Sequence, residues 1–439
     1  MRFPRPISPR RYDLSVRSTL QSAISIAASF AASLLLCAPS FAQTSIAVEV
    51  LCPARGDSFA PRLMVDGSAL LLSWIEAIPP VAPSAKTTHR VCMSRCTDGA
   101  WSDVAVIASG ENLFANWADT PTVVRATDGR LLATWLRKSA ESTYAYDAVV
   151  SESKDDGKTW ETLGSIHSDE KPAEHGFVSG SSLHELTAYC WLDGRAMELP
   201  DESAGGHGHG GGDMMLRATR VAPRADRVSP PSEILDDRVC ECCPTDLAIG
   251  HFGPIIVYRD RGEDGTRDIA VVRWLGEGWS VPKLVSRDGW MLEGCPVNGP
   301  SISANGNDVF VAWWTGEPEH GAVRAARSKD GARSFSEAFD LDTDGSLGRV
   351  ETLLLPNRDA LVFWYDLDGA NAKLVGKWLA TSGSIGAAHT IARVSADRSS
   401  GFPRAVLQDN DVWLTCTAVD ANKSRSVKLY RAPIAALTK

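Results

Sequence analysis

Three absences narrow the reading of this 439-residue sequence. Past residue 36 no apolar run approaches the ~18–20 residues that a helix needs to cross a bilayer. Basic charge is in deficit, with 45 Lys and Arg against 54 Asp and Glu. No basic stripe therefore offers the electrostatic footprint that a nucleic-acid partner needs. The separated two-pair cysteine spacing of a structural zinc module is also missing, although the chain carries 10 cysteines. No shift in composition marks a second domain.

Residues 1–42 read as an export signal. Arg2, Arg5, Arg10, Arg11 and Arg17 lead into an Ala-rich apolar run from about Ile24 to Leu36, and Ser40-Phe41-Ala42 offers a cleavage point before Gln43. The basic lead is long enough to leave the true start open, and Leu36 before Cys37 favours cleavage over lipidation. The expectation is a soluble mature chain, 43–439, in the periplasm or secreted. Without the five Arg and one Asp of the signal it has 40 basic and 53 acidic side chains, a formal charge of −13. Nine cysteines remain, so at least one sulfur is free, metal-bound or paired outside the chain.

The dominant pattern is a repeated two-strand phrase: Pro or Gly, a short alternating strand, a polar turn, then an apolar strand usually containing Trp. Copies start near Pro61, Pro121, Gly176, Pro244, Pro300, Arg349 and Pro403, and a second pair of strands follows each. Repeats of this length suit radially arranged four-stranded sheets. The spacing predicts an all-β, seven-bladed β-propeller of four-stranded antiparallel blades, with six blades as the alternative. The seventh copy lacks an outer strand, and the stretch at 45–50 has no other partner. Pairing the two would close the single domain and leave no open sheet edge.

Ser153-Lys154-Asp155-Asp156-Gly157-Lys158-Thr159-Trp160 matches the Asp-box phrase Ser-x-Asp-x-Gly-x-Thr-Trp, and Ser328 to Phe335, with Asp330, is a near match. On these residues the chain resembles the sialidase-like, BNR-repeat propellers. In such a turn Asp155 accepts backbone N–H groups, Gly157 is left-handed, and Trp160 or Phe335 anchors the hairpin. The motif carries fold, not catalysis. The resemblance implies an arginine triad for a carboxylate, for which Arg62, Arg349 and Arg404 are candidates, and a Tyr–Glu nucleophile pair, for which none can be assigned.

In an antiparallel blade the loop leading into strand one and the loop joining strands two and three open on one side. That face should receive Cys240, Cys242 and Cys243 before blade four and Cys295 before blade five. It should also receive the Gly-rich loop with His207 and His209, the run with Arg259, Asp260, Arg261, Arg267 and Asp268, and Glu317, Glu319 and His320. All three early sulfurs meet only if the chain turns there, because positions 240 and 242 share one face of a strand and 243 takes the other. One disulfide with two buried thiols, a thiolate metal site and a redox dithiol all remain open. For a metal, thiolates favour copper(I) or zinc, and nearby Met thioether tips the choice to copper. His207 and His209 suit delivery or gating, or form only a surface loop. Arg259, Asp260 and Asp268 are the weak catalytic candidates, as anion clamp or metal support. Cys52 is expected to form a disulfide with Cys92 or Cys96 across the closing seam, and Cys190 and Cys416 to be buried thiols. The leading reading is an exported, sialidase-like propeller with a Cys-rich metal site, copper first and zinc second, served by a metal donor protein. A glycoside hydrolase or glycan-binding propeller is the alternative.

Overall fold

The structure, a computed structural model, describes residues 46–80, 86–183, 186–197, 211–221, 231–316 and 321–438. The seven phrases fold as seven antiparallel sheets in chain order. Blade one is built on Ser58–Asp66, Ala69–Ile78 and Thr88–Thr97; both Ala100–Trp101 and Ala105–Gly110 pair with the last of these. Blade three contains Met214–Val221 and Glu233–Val239, blade four Asp246–Gly250, Gly253–Arg259, Ile269–Arg273 and Lys283–Leu284, and blade five starts with Ser301–Asn305. Blade seven takes its outer strand from the other end of the chain, because Val48–Val50 pairs with Arg425–Pro433 in the register Val48 to Arg431. The ring is thereby closed as the repeat predicts. Among the described residues no helix is long and apolar enough to cross a membrane.

The Trp of the second strand fills the gap between blades. Trp74, Trp191, Trp313 and Trp364 are each almost completely buried, and truncating such a ring costs about 3–5 kcal/mol. Positions two apart share one strand face, which lets a carboxylate satisfy the buried indole N–H. Trp74 Nε1 donates to Glu76 at 2.8 Å and Trp191 Nε1 to Asp193 at 2.8 Å. Around the axis, carboxylates of inner strands cap the next blade. Asp246 accepts from Ile302 N at 2.9 Å, and Glu351 from Ala405 N at 3.1 Å.

The two Ser-x-Asp turns join strands three and four of blades two and five and share one hydrogen-bond plan. Asp155 accepts from Thr159 N at 2.9 Å and Thr159 Oγ1 at 2.7 Å; Asp330 accepts from Ser334 N at 2.9 Å and Ser334 Oγ at 2.6 Å. Hydrogen bonds from Thr159 draw the half-buried Asp155 carboxyl down to about 2. Trp160 Nε1 closes the first turn on Gly157 O at 3.0 Å. In the second, Ala332 occupies the left-handed position of Gly157, at φ 63° against 88°.

The expected Cys52 disulfide is not formed: Cys52, Cys92 and Cys96 are free thiols. Cys52 and Cys92 pack as small apolar groups with Leu72 and Trp74, and burial raises their thiols to about 11 and about 12. Strand pairing and the Arg425–Asp57 ion pair at 2.6 Å hold the seam instead. Cys190 and Cys416 are buried thiols.

Candidate metal centre

Strand four of blade three ends at Val239, and residues 241–242 form a turn before strand one of blade four begins at Asp246. That turn brings Cys240, Cys242 and Cys243 together, with sulfurs all within 4.8 Å of one another and Cys240 Sγ at 3.5 Å from Cys243 Sγ. Thiolates sharing one ion at ~2.3 Å stand ~3.8–4.0 Å apart, whereas a disulfide requires ~2.05 Å. Cys240 and Cys243 are almost fully buried and Cys242 is partly so. Cys295, on the loop leading into blade five, reaches the Cys242 thiol but lies outside the mutual set of three. Gly299 packs so closely under Pro244 that a methyl there would overlap the Pro244 carbonyl. The two leading loops are thus clamped together.

The surroundings of the sulfurs are cationic. Arg259 is buried, and among the described residues it has no carboxylate ion pair; its guanidinium donates to Asn298 O, Arg267 O and Trp314 O. Burial pushes the Cys243 thiol up, but hydrogen bonds from Cys240 and Cys242, the Arg259 charge and the Asn298 amide together hold it well below its usual range. Asn298 N donates to Cys243 Sγ at 3.4 Å. Hydrogen bonds with Cys240, Cys243 and Cys295 push the Cys242 thiol far up. Cys242 draws the Cys240 thiol down, and Cys243 with burial outweighs it, leaving Cys240 raised to about 11. Glu241 is buried between Arg261 and Arg267, the latter at 3.2 Å. The chemistry available is soft-cation binding by a set that mixes one readily ionised thiol with two whose protons pass to solvent as the ion binds.

The remaining candidates divide. Asp260 and Asp268 stand beside the cysteine turn, since Asp260 N donates to Asp268 O at 2.9 Å and Asp260 bridges to Val239. Burial and then Asp236 raise Asp260 to about 6, and burial with Asp288 raises Asp268. Arg62 and Arg404 approach each other at the axis, but Asp246 faces Arg62 at 3.9 Å and Glu351 faces Arg404 at 3.1 Å. Arg349 has other partners. Its guanidinium donates to Asp397 O and Gly401 O and lies 5.2 Å from the Trp117 ring. His207, His209, Glu317, Glu319 and His320 lie outside the described residues. Met214, opposite Val239, starts strand three of blade three and is fully buried.

Two constellations escaped the sequence reading. Asp147, His167 and His175 bring ligand atoms within 4.8 Å of one another, a set able to coordinate an ion. In the present arrangement the two rings stack at 3.6 Å, and Asp169 bridges His167 Nδ1 at 2.7 Å and His175 Nε2 at 3.2 Å. His175 Nδ1 meets Tyr146 O and Ala173 O, so both its nitrogens face oxygen acceptors, which favours the protonated ring. Burial lowers His175, but the Asp169 hydrogen bond and the Asp193 charge outweigh it and raise it; burial and the His175 charge lower His167. The pair should titrate in two macroscopic steps, one on each side of 6.5, as coupled groups do. The raised His175 step carries stability that is fully present below pH 6.5 and is lost as pH climbs through the higher folded-state value. Histidine NMR titration checks this, and two coincident steps would contradict it. The second constellation is Tyr146, whose hydroxyl donates to Glu174. Phe114 covers the ring at 4.1 Å, and burial with Glu174 holds the phenol well above its usual range. Neither group follows a spacing rule, because each joins separate strands or loops across a blade boundary.

No protein-family model matches the chain, and no curated protein matches it. Solved structures do. The polysaccharide lyase Uly1 is similar at TM-score 0.51 and 10% identity, over 86% of this chain and 90% of that one. An α-L-arabinofuranosidase of Fusarium graminearum, solved with arabinobiose, matches at TM-score 0.49 and 12% identity over 90% and 99%. The sialidase of Trypanosoma rangeli matches at 0.43 and 12% over 78% and 57%. The chain thus shares a distant, low-identity likeness with several carbohydrate-active propellers. At such identities the likeness speaks to fold alone.

Proposed function

We propose that this protein is an exported propeller, periplasmic or secreted and of the sialidase-like, Asp-box kind, that binds about one copper(I), with zinc as second choice, through Cys240, Cys242 and Cys243. The observation that carries the reading is the convergence of three sulfurs beside a buried arginine that, among the described residues, has no carboxylate partner. Three thiolates and one copper(I) leave a net charge of −2, and Arg259 offsets part of it where water is excluded. The rival glycosidase reading asks for three arginines on one carboxylate, whereas Arg62 and Arg404 already face Asp246 and Glu351 and Arg349 donates to the main-chain carbonyls of Asp397 and Gly401. Metal analysis of the reduced mature protein tests the proposal. About one copper per chain, lost in Cys242→Ser, is the expected result; metal that survives Cys242→Ser would move the site off the thiolates.

A further inference from the structure

The four sulfurs differ sharply in access. Cys240 and Cys243 are 0% and 1% exposed, Cys242 is intermediate and Cys295 is exposed. Cys242 lies within 4.8 Å of both buried sulfurs and hydrogen-bonds with Cys295, on a loop packed against Pro244 through Gly299, so the thiols form a chain from surface to interior. Four residues before Cys295 on the same loop stands Met291, an exposed thioether at 60%. Other large apolar side chains are exposed too, Val281 and Leu51 more so, but among them Met291 is the one whose thioether is a soft ligand that suits copper(I). The backbone holds it in place. Met291 bridges to Thr266, and Arg267 N donates to Trp290 O at 2.7 Å, so the loop is tied to the blade-four loop at one end and to Pro244 through Gly299 at the other.

We propose that the Met291–Cys295 segment is a loading port, at which a thiol-bearing donor hands copper(I) to the buried thiols. The proposal rests on the copper reading and adds the route and the chemistry of the partner. Transfer proceeds by associative ligand exchange. The Cys295 thiol gives its proton to water as its sulfur bonds the copper, the bond from copper to the donor sulfur breaks, and the donor leaves as thiolate. Cys242 repeats the exchange, its proton passing to Cys295 as that sulfur leaves, and the ion settles among Cys240, Cys242 and Cys243 as the Cys240 thiol gives its proton to solvent. Copper stays in the +1 state throughout, and no oxidant takes part. Met291 adds a neutral donor that holds the ion at the surface while the first sulfur bond forms.

Rapid mixing of reduced protein with copper(I) glutathione tests the port, with uptake followed by thiolate-to-copper absorption and final occupancy by metal analysis. Cys295→Ser is expected to slow uptake about tenfold, an effect larger than any loss of affinity, and Met291→Leu to slow it less. Uptake by Cys295→Ser at the unaltered rate would overturn the port and leave the metal site standing. Equilibrium binding abolished as completely as in Cys243→Ser would overturn it too, making Cys295 a permanent ligand. No copper uptake by the unsubstituted protein would remove the copper reading itself, and the port with it.

Discussion

Cys243→Ser is expected to abolish stoichiometric copper(I) binding, while Cys416→Ala, which removes an equally buried thiol from blade seven, leaves binding intact. The difference lies in surroundings. Cys243 receives the Asn298 amide and the Arg259 charge and stands 3.5 Å from Cys240, whereas Cys416 is a fully buried apolar thiol raised to about 12 by desolvation. Removing one member of a buried charged set costs about 3–5 kcal/mol, or on the order of 10²–10⁴-fold in affinity. Competition against a chromogenic copper(I) chelator measures it. Equal loss in both variants would mean that binding reports general thiol content and not this turn.

Arg259→Met should weaken both the fold and the site. The guanidinium donates to Asn298 O at 3.0 and 2.8 Å, Arg267 O at 2.6 Å and Trp314 O at 2.6 Å, and lies 4.9 Å from the Trp290 ring. Methionine fills much of the volume and supplies no donor, so three buried carbonyls lose their partner at about 1–3 kcal/mol each before relaxation. A net loss of about 4 kcal/mol corresponds to a midpoint lowered by about 5 °C in a chain of this size. Copper affinity should fall as well, because the anionic cluster loses a buried cation. Arg259→Lys keeps the charge without the planar fork and should restore affinity better than stability. Thermal unfolding and chelator competition on the two variants separate these contributions. An unchanged midpoint in Arg259→Met would show that the carbonyls find other donors.

The architecture was legible because a propeller repeats its grammar. Seven Pro- or Gly-led phrases, each with a buried second strand, and an orphan stretch at 45–50 leave few other ways to close a ring, and Val48–Val50 does close it. Local chemistry was legible too where it is contained in one turn, as at Asp155 and at Cys240 to Cys243. What depends on contacts between blades was hidden. Nothing in the sequence places His167 on His175, or seats the Arg349 guanidinium on the Asp397 and Gly401 carbonyls. The Cys52 disulfide was argued from compartment and position, but the thiols follow the apolar packing of Leu72 and Trp74 instead.

X-ray absorption at the copper edge of the loaded, reduced protein tests the central claim most directly, because it reads the ligands themselves. The account predicts a copper(I) edge and a first shell of about three sulfurs at ~2.3 Å, the distance typical of metal–thiolate bonds. A first shell of nitrogen or oxygen alone, as the Asp147, His167 and His175 set would supply, would contradict it.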